Sequence, residues 1–307
     1  MNIEEQVELL MQGTDYGDPA IAEAMAVELR ERLIQSQQSG RPLKVYAGYD
    51  PTSTDLHLGH TVTMRKLRQF QDLGHDVFFV IGTFTSLIGD PSDKDKSRPL
   101  LSPEKVMENA RTYAEQAFSV LDPEKTQIRY NADWLSQLQL DEIFRLAANF
   151  TAQQFLARDS FHKRWEANEP IYLHEFFYPL TQGFDAHHLE ADVQVGGTDQ
   201  LFNIVTASRK VMLSYGQKPN IGILMPLLPG TDGEQKMSKS LGNYIPINTT
   251  AEDMYGKVMS IPDKIMPIYA RLVAGWTPPV IKRFDTGLES GSLHPRDAKM
   301  QLAHAIT

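Results

Sequence analysis

The chain has 307 residues, a formal net charge of −9 and 41% hydrophobic residues, an ordinary composition for a globular protein with one large or two modest domains. It has no cysteine, which excludes a disulfide scaffold and thiolate metal sites. The acidic N-terminus does not resemble a signal peptide, and no apolar run approaches the roughly 20 residues of a membrane span, so we expect no membrane contact and a cytoplasmic location.

The first part of the chain alternates between helical and strand patterns. Residues 1–38 have apolar residues at helical spacing, and the run Ser39-Gly40-Arg41-Pro42 ends that segment. Buried-strand patterns follow at 44–49, 76–81 and 126–130. Between them we predict a helix over 56–73 and a second helix that Ser102 caps and Pro103 opens. This alternation predicts a parallel sheet with helices on both faces.

From 134 to 190 the pattern is mainly helical, and the alternation then resumes. We predict a strand at 192–195, a helix at 199–215 and a strand at 221–228, followed by helices at 251–258, 262–274, 278–284 and 295–306. The fold class is therefore α/β: a Rossmann-like parallel sheet with a helical insertion and a C-terminal all-helical region. The expected domains are an N-terminal helical segment (1–42), a nucleotide-binding domain (43–246, insertion about 134–190) and a helical region (247–307).

The end of the chain carries apolar residues without a helix cap. Ala305 and Ile306 stand next to the last residue, Thr307. We therefore expect a C-terminally truncated protein, and the alternative is a short protein with a frayed terminus.

Two short motifs are better suited to chemistry than to building a fold. His57 and His60 flank Gly59 where the first strand gives way to a helix, and Lys236-Met237-Ser238-Lys239-Ser240 forms a turn between glycine-rich stretches. Ligands in such sheets bind at the carboxyl ends of the strands. Taken singly, the histidines read as a capping or zinc-like pair and the lysines as a solvated loop. Together, the two clusters are suited to holding a polyphosphate whose charge rises during reaction.

The pair of motifs resembles the two ATP-binding motifs of class I aminoacyl-tRNA synthetases. The stretches 46–52, 87–92, 178–185 and 196–200 resemble bacterial tyrosyl-tRNA synthetases, and the resemblance extends over roughly residues 40 to 305. It implies a tyrosine–tRNA ligase that uses ATP to convert L-tyrosine to tyrosyl adenylate and then transfers the tyrosyl group to tRNA(Tyr). It also implies Mg²⁺ carried with ATP and no protein-bound metal. Part of the anticodon reader is expected after residue 246.

The resemblance assigns a role to each matching residue. The catalytic residues would be Thr52, His57, His60, Lys94, Arg98, Lys236 and Lys239. The tyrosine-binding residues would be Tyr46, Asp90, Tyr178, Gln182, Asp185 and Gln200. The ATP-binding residues would be Gly48, Asp50, Gly59, Gly197, Asp199, Met237 and Lys239. Ala47 departs from the family pattern, since some members carry a side chain there that touches the ribose.

Tyrosine specificity depends on one helical face. Tyr178, Gln182 and Asp185 are spaced i, i+4 and i+7, which fits the floor of a polar pocket or, alternatively, a solvated stripe. Pro179 predicts that the helix starts nearby or is kinked. A phenol partnered by Asp185 and Tyr46 disfavours the runner-up, a tryptophanyl-tRNA synthetase. Intact histidines and lysines disfavour a second alternative, an RNA-binding paralogue that has lost catalysis.

A homodimer is also expected. The segment 143–161 has more apolar residues than one helical segment usually buries alone, and the resembled family forms a two-fold interface there. The alternative is burial of these residues against the chain's own fold. They are Ile143, Phe144, Leu146, Ala147, Phe150, Phe155 and Leu156.

Overall fold

The structure is a computed structural model, and it describes residues 1–92 and 101–307. Within these residues, five parallel strands form a sheet with the order β3-β2-β1-β4-β5. The strands are β1 (Lys44–Tyr49), β2 (Asp76–Ile81), β3 (Thr126–Tyr130), β4 (Val193–Gly197) and β5 (Ile221–Met225). The α/β parallel-sheet prediction is confirmed.

Strand β2, which lies inside the sheet, forms because its residues are apolar on both faces. In β2 every residue after Asp76 is buried, as expected for a parallel strand covered by helices on both sides. The register pairs Lys44 with Asp76 at one end of β1 and Tyr49 with Ile81 at the other. The carboxyl ends of β1 and β2 therefore lie side by side.

The helices before the insertion surround this sheet. They are α1 (Ile3–Met11), α2 (Pro19–Ser39), α3 (Leu58–Asp72), α4 (Thr85–Ile88), α5 (Pro103–Ala110) and α6 (Tyr113–Ala117). The expectation of one helical segment over 1–38 was wrong in detail, because Gly13 and Gly17 adopt positive φ between α1 and α2. As predicted, Ser102 caps α5 and accepts a hydrogen bond from the Lys105 backbone N–H at 3.3 Å.

The insertion and the C-terminal part of the chain are helical. The insertion contains α7 (Ala132–Leu135), α8 (Leu140–Ala147), α9 (Ala152–Leu156), α10 (Asp159–Glu166) and α11 (Phe177–Leu189). After β4 come α12 (Arg209–Ser214) and, beyond β5, α13 (Ala251–Ser260), α14 (Met266–Leu272), α15 (Pro278–Glu289) and α16 (Pro295–Ile306). No helix in the described ranges is long and apolar enough to cross a membrane. The domain boundaries stay a prediction.

The predicted continuous helix over 199–215 was wrong. A 3₁₀ turn (Thr198–Gln200) is followed by a π-helical stretch (Phe202–Ser208), and α12 begins only at Arg209. Within this stretch the Ser208 hydroxyl donates to the Asn203 carbonyl at 2.9 Å, and both side chains are fully buried. Such wide turns change the direction in which side chains point, and they often occur at functional sites.

Two hydrophobic clusters hold the layers together. The larger cluster joins the sheet to α1–α3 and to the C-terminal helices, so residues such as Met225 and Tyr269 belong to one continuous core. The smaller cluster joins the insertion to the other face of the sheet through Tyr46, Phe161 and Phe184. The carboxyl edge of the sheet remains open between them.

Candidate active site

A cavity of about 710 Å³ lies at the carboxyl edge of the sheet. Every predicted site residue in the described part of the chain lines it: Tyr46, Gly48, Asp50, Thr52, His57, Gly59, His60, Asp90, Tyr178, Gln182, Asp185, Gly197, Asp199, Gln200, Lys236, Met237 and Lys239. The predicted residues Lys94 and Arg98 lie outside the described residues. Side chains from both halves of the sheet therefore meet in one place.

The two histidines sit at the start of α3. The backbone N–H of His57 donates to Nδ1 of His60 at 3.1 Å, and the two ring centroids are 3.9 Å apart. Burial lowers the pKa of His57 to about 2, with further lowering by His60 and the two lysines, and burial lowers the pKa of His60 to about 4. Both imidazoles are therefore neutral at pH 7. With Nδ1 of His60 acting as acceptor, its proton is on Nε2.

Gly59 is required by the position of the His57 ring. A Cβ atom at residue 59 would lie 2.9 Å from Nδ1 of His57, closer than real side chains approach. The glycine therefore lets the imidazole fold back over the first turn of α3. The resemblance had assigned Gly59 only to ATP binding.

The two motifs are joined through the backbone. The Leu58 N–H donates to the Ile245 carbonyl at 2.9 Å, and the Ile247 N–H donates to the Leu56 carbonyl at 3.1 Å. We call this pairing of 56–58 with 245–247 the motif bridge. It also explains why α3 begins at Leu58 and not at the predicted Leu56, since Leu56 is in extended pairing.

Asn243 organises the Lys-rich turn. Its side-chain oxygen accepts from the Ser238 N–H at 2.8 Å, and its Nδ2 donates to Asp232 at 2.6 Å and to the Lys236 carbonyl at 3.1 Å. Met237 is buried and anchors the turn in the core. The turn is thus a built structure, and the solvated-loop alternative does not describe it.

The two lysines of the turn face the cavity in different environments. Burial lowers the pKa of Lys236, and nearby Asp90 opposes this shift. Lys239 forms an ion pair with Asp55 at 3.1 Å, and its Nζ lies 5.7 Å from the centre of the Tyr244 ring. Two positive charges therefore line the same end of the cavity as the histidines.

Asp185 lies at the opposite, buried end. It accepts from Nε1 of Trp134 at 2.8 Å and from Nδ2 of Asn131 at 3.2 Å. Burial nevertheless raises the pKa of Asp185 to about 8. Tyr46, also buried, directs its hydroxyl to the Gln182 carbonyl at 3.4 Å. The solvated-stripe alternative for the α11 face is therefore wrong, since Tyr178 and Asp185 are both buried.

Sequence reasoning missed Asn131 and Trp134 as supports of Asp185. One signal was available, because Asn131 directly follows β3 at the edge where the other polar residues gather. Pro179, in contrast, behaves as predicted. It occupies the first turn of α11, where its missing N–H costs nothing.

Asp50 and Asp199 are the other carboxylates near the centre of the cavity. Asp50 accepts from the Tyr178 hydroxyl at 3.0 Å and from the Thr85 hydroxyl at 2.7 Å. Burial, together with nearby Asp90, raises the pKa of Asp199 to about 6. Tyr178 thus already has a protein partner on the side of the cavity that the sequence assigned to ATP.

The similarity of this chain to known proteins agrees with the geometry of the site. Residues 37–307 match the family model of class I tRNA synthetases (W and Y). The chain is 51% identical to the tyrosine–tRNA ligase of Moorella thermoacetica over 279 residues, which cover 91% of this chain and 67% of that relative. It is 48% identical to the tyrosine–tRNA ligase of Desulfotalea psychrophila over 306 residues, which cover 100% of this chain and 74% of the relative.

A solved structure shows the same fold. The tyrosyl-tRNA synthetase of Archaeoglobus fulgidus, crystallised with L-tyrosine, superposes with a TM-score of 0.78 at 23% identity, covering 99% of this chain and 96% of that one. The fold, the assembled cavity and the similarity to curated relatives agree. The chain therefore belongs to the class I tRNA synthetases of the W and Y type and, within them, to the tyrosine–tRNA ligases.

Proposed function

We propose that this cavity joins L-tyrosine to ATP and that the product, tyrosyl adenylate, is passed to tRNA(Tyr). The observation that carries the proposal is the arrangement of one cavity with two chemically different ends. One end has two histidines and two lysines, and the other has a buried Asp185 beside Tyr46. The first suits a polyphosphate, and the second suits a phenol that both donates and accepts a hydrogen bond.

The reaction needs no protein nucleophile. An oxygen of the tyrosine carboxylate bonds to the α-phosphorus of ATP, the bond from that phosphorus to the bridging oxygen breaks, and pyrophosphate leaves with the electron pair. The protein positions the reactants and stabilises the charge that develops on the leaving phosphates. In this proposal Nε2–H of His60 donates to a phosphate oxygen as a neutral imidazole, with His57 and Thr52 beside it.

Lys236 and Lys239 supply positive charge to the leaving pyrophosphate. By resemblance, Lys94 and Arg98 would grip the same group. Asp199 is assigned to the ATP ribose, and Gly48 and Gly197 are assigned to ATP binding. By the same resemblance, Mg²⁺ would come bound to the phosphates of ATP.

We propose that the tyrosine end of the cavity binds both the phenol hydroxyl and the α-ammonium group of the substrate. Tyr46 and Asp185 contact the phenol hydroxyl, and the support from Asn131 and Trp134 keeps Asp185 in place. Asp90, Tyr178 and Gln182 take the α-ammonium group, and Gln200 lines the same pocket beside Asp90. Tyr178 contributes through Asp50 as well as directly, because its hydroxyl donates to that carboxylate.

A homodimer formed through the insertion is part of the proposal. Large apolar side chains are exposed on this part of the surface: Leu140 and Phe144 are 64% exposed and Leu173 is 77% exposed. Leu146 and Phe155, from the same sequence segment, are buried against the chain's own fold. Of these three exposed residues, Phe144 belongs to the set that the sequence suggested, and Leu140 and Leu173 extend the proposed interface beyond it. We also propose that the protein works in the cytoplasm, where its tRNA partner is found.

The decisive experiment is exchange of labelled pyrophosphate into ATP in the presence of a single amino acid. Tyrosine is expected to support exchange, and tryptophan and phenylalanine are expected not to. Exchange with tryptophan would favour the alternative synthetase. No exchange with any amino acid, in a protein that still binds ATP, would favour the RNA-binding paralogue.

A further inference from the structure

Three parts of the chain meet at the hydroxyl of Ser92, just beyond the cavity wall. Nη2 of Arg158, at the start of α10, donates to this hydroxyl at 2.9 Å, and Nδ2 of Asn203 donates to it at 3.0 Å. The Arg158 guanidinium also lies over the Phe202 ring, 4.5 Å from its centre. Asn203 is fully buried in the π-helical stretch. We call Arg158, Ser92 and Asn203 the outer triad.

The outer triad continues into the cavity through Gln200. Nδ2 of Asn203 also donates to Oε1 of Gln200 at 2.9 Å, and Nε2 of Gln200 donates to Oδ2 of Asp90 at 2.7 Å. The other carboxylate oxygen of Asp90 accepts the Ser92 backbone N–H at 2.8 Å. Each oxygen of Asp90 therefore accepts one protein hydrogen bond and keeps a further lone pair for a ligand.

Asp90, at the end of this series of hydrogen bonds, determines which group donates at each step. An ionised Asp90 only accepts, so Gln200 must turn its NH₂ group towards it. The amide oxygen of Gln200 then needs a donor, and Asn203 supplies it. Without that donor the amide oxygen of Gln200 loses this partner, so the side chain is no longer held from both ends against Asp90.

We infer that Asn203 and Arg158 are positioning residues that hold Gln200 and Asp90 in the orientation that receives the α-ammonium group of tyrosine. The inference rests on the proposed function, which places that ammonium group at Asp90. In this inference, the π-helical stretch orients the Asn203 side chain towards Ser92 and Gln200. It also connects α10 of the insertion to amino-acid binding, through Arg158.

Two ligands separate this role from a purely structural one. L-tyrosine carries the ammonium group, and 3-(4-hydroxyphenyl)propanoate has the same phenol, ring and carboxylate without it. The measurement is the dissociation constant of each ligand by calorimetry. In the parent protein, tyrosine is expected to bind more tightly than the desamino ligand. Equal affinities there would contradict the proposed ammonium site itself, independently of the outer triad.

Asn203→Asp keeps the size of the side chain and removes the donor. We expect tyrosine to bind about 10- to 100-fold more weakly, because a hydrogen bond to a charged group is lost or misdirected. The desamino ligand should change by less than about 3-fold. Arg158→Gln, at the half-buried rim, should produce a smaller loss in the same direction, and Arg158→Lys should restore part of it.

The matched control is Asn109→Ala. Asn109 is a buried asparagine whose Nδ2 donates to the Pro51 carbonyl at 2.9 Å, away from the outer triad. This variant should lower the stability to urea and leave the affinity ratio of the two ligands unchanged. If Asn203→Asp does not fold, the two Arg158 variants decide the question. Equal weakening of both ligands, or no weakening of either in the folded Arg158→Gln protein, would overturn the inference.

Discussion

Replacing Lys239 by alanine separates its contribution to the transition state from the ion pair it makes at rest. In the structure Lys239 is bonded to Asp55, and the two side chains are 22% and 43% exposed. Such a partly exposed pair is worth about 0–1 kcal/mol. A preorganised charge that meets a leaving pyrophosphate is worth more, about 3 kcal/mol, which corresponds to a rate factor on the order of 10².

The assay is the single-turnover rate of tyrosyl adenylate formation at saturating ATP, measured together with the dissociation constant of tyrosine and urea unfolding. Lys239→Ala is expected to slow the rate by on the order of 10²-fold and to leave tyrosine affinity and stability nearly unchanged. The matched variant Asp55→Asn breaks the same ion pair and keeps the lysine. It should change the rate by less than about 3-fold, because the resting pair is weak.

A comparable loss of rate in both variants would mean that the ion pair itself matters and that the charge of Lys239 acts only through it. A loss of tyrosine affinity in proportion to the rate would assign Lys239 a structural role. Either result would contradict a direct role of the Lys239 charge in the transition state.

Three further predictions concern other parts of the protein. His57→Asn and His60→Asn should each slow adenylate formation by about tenfold or more with little change in Tm at pH 7, and early unfolding with near-normal turnover would contradict this. The pKa of His60 is lower in the folded state than in the unfolded state. The neutral form of His60 therefore makes a contribution to the free energy of unfolding that is complete above about pH 6.5 and is lost as the pH falls towards 4. The free energy of unfolding of the parent should therefore fall between pH 7 and pH 5 by about 1–2 kcal/mol more than that of His60→Asn, and identical pH profiles in urea titrations would count against it. Phe144→Glu should shift the mass measured by light scattering at micromolar concentration from that of a dimer to that of a monomer. The control Met107→Glu changes an exposed side chain outside the insertion and should leave the dimer intact. A parent protein that is already monomeric would refute the proposed interface.

The strands were readable from the sequence because their signals are local. Each of β1, β2 and β3 has the predicted bounds, since a short buried run between polar turns has few other ways to fold. The π-helical stretch was not readable, because Phe202–Ser208 has ordinary helical composition. Its wide turn includes the contact between Ser208 and the Asn203 carbonyl, which depends on packing and not on propensity.

The parts of the candidate site that lie in short sequence motifs could be predicted. The parts that form where residues distant in sequence meet could not. His57 and Lys239 were found in short patterns. Trp134 was not, because its partner Asp185 lies about 50 residues further along and only the packing of the insertion brings them together. The same holds for the contact between Arg158 and Ser92. Long-range hydrogen bonds leave no periodic trace in a sequence.

Because His57 pairs with backbone about 190 residues further along the chain, the motif bridge can close only after residues 245–247 have been made. A nascent chain that has completed β1, β2 and β3 already contains both histidines, but it has no backbone partner for Leu56 and Leu58. Contacts between such distant segments are slow to form, since loop closure must precede them. The phosphate end of the cavity is thus assembled late, after β5 and the Lys-rich turn have emerged. Under the proposed function, the residues that would hold the ATP phosphates therefore come together only after those of the tyrosine pocket have been made.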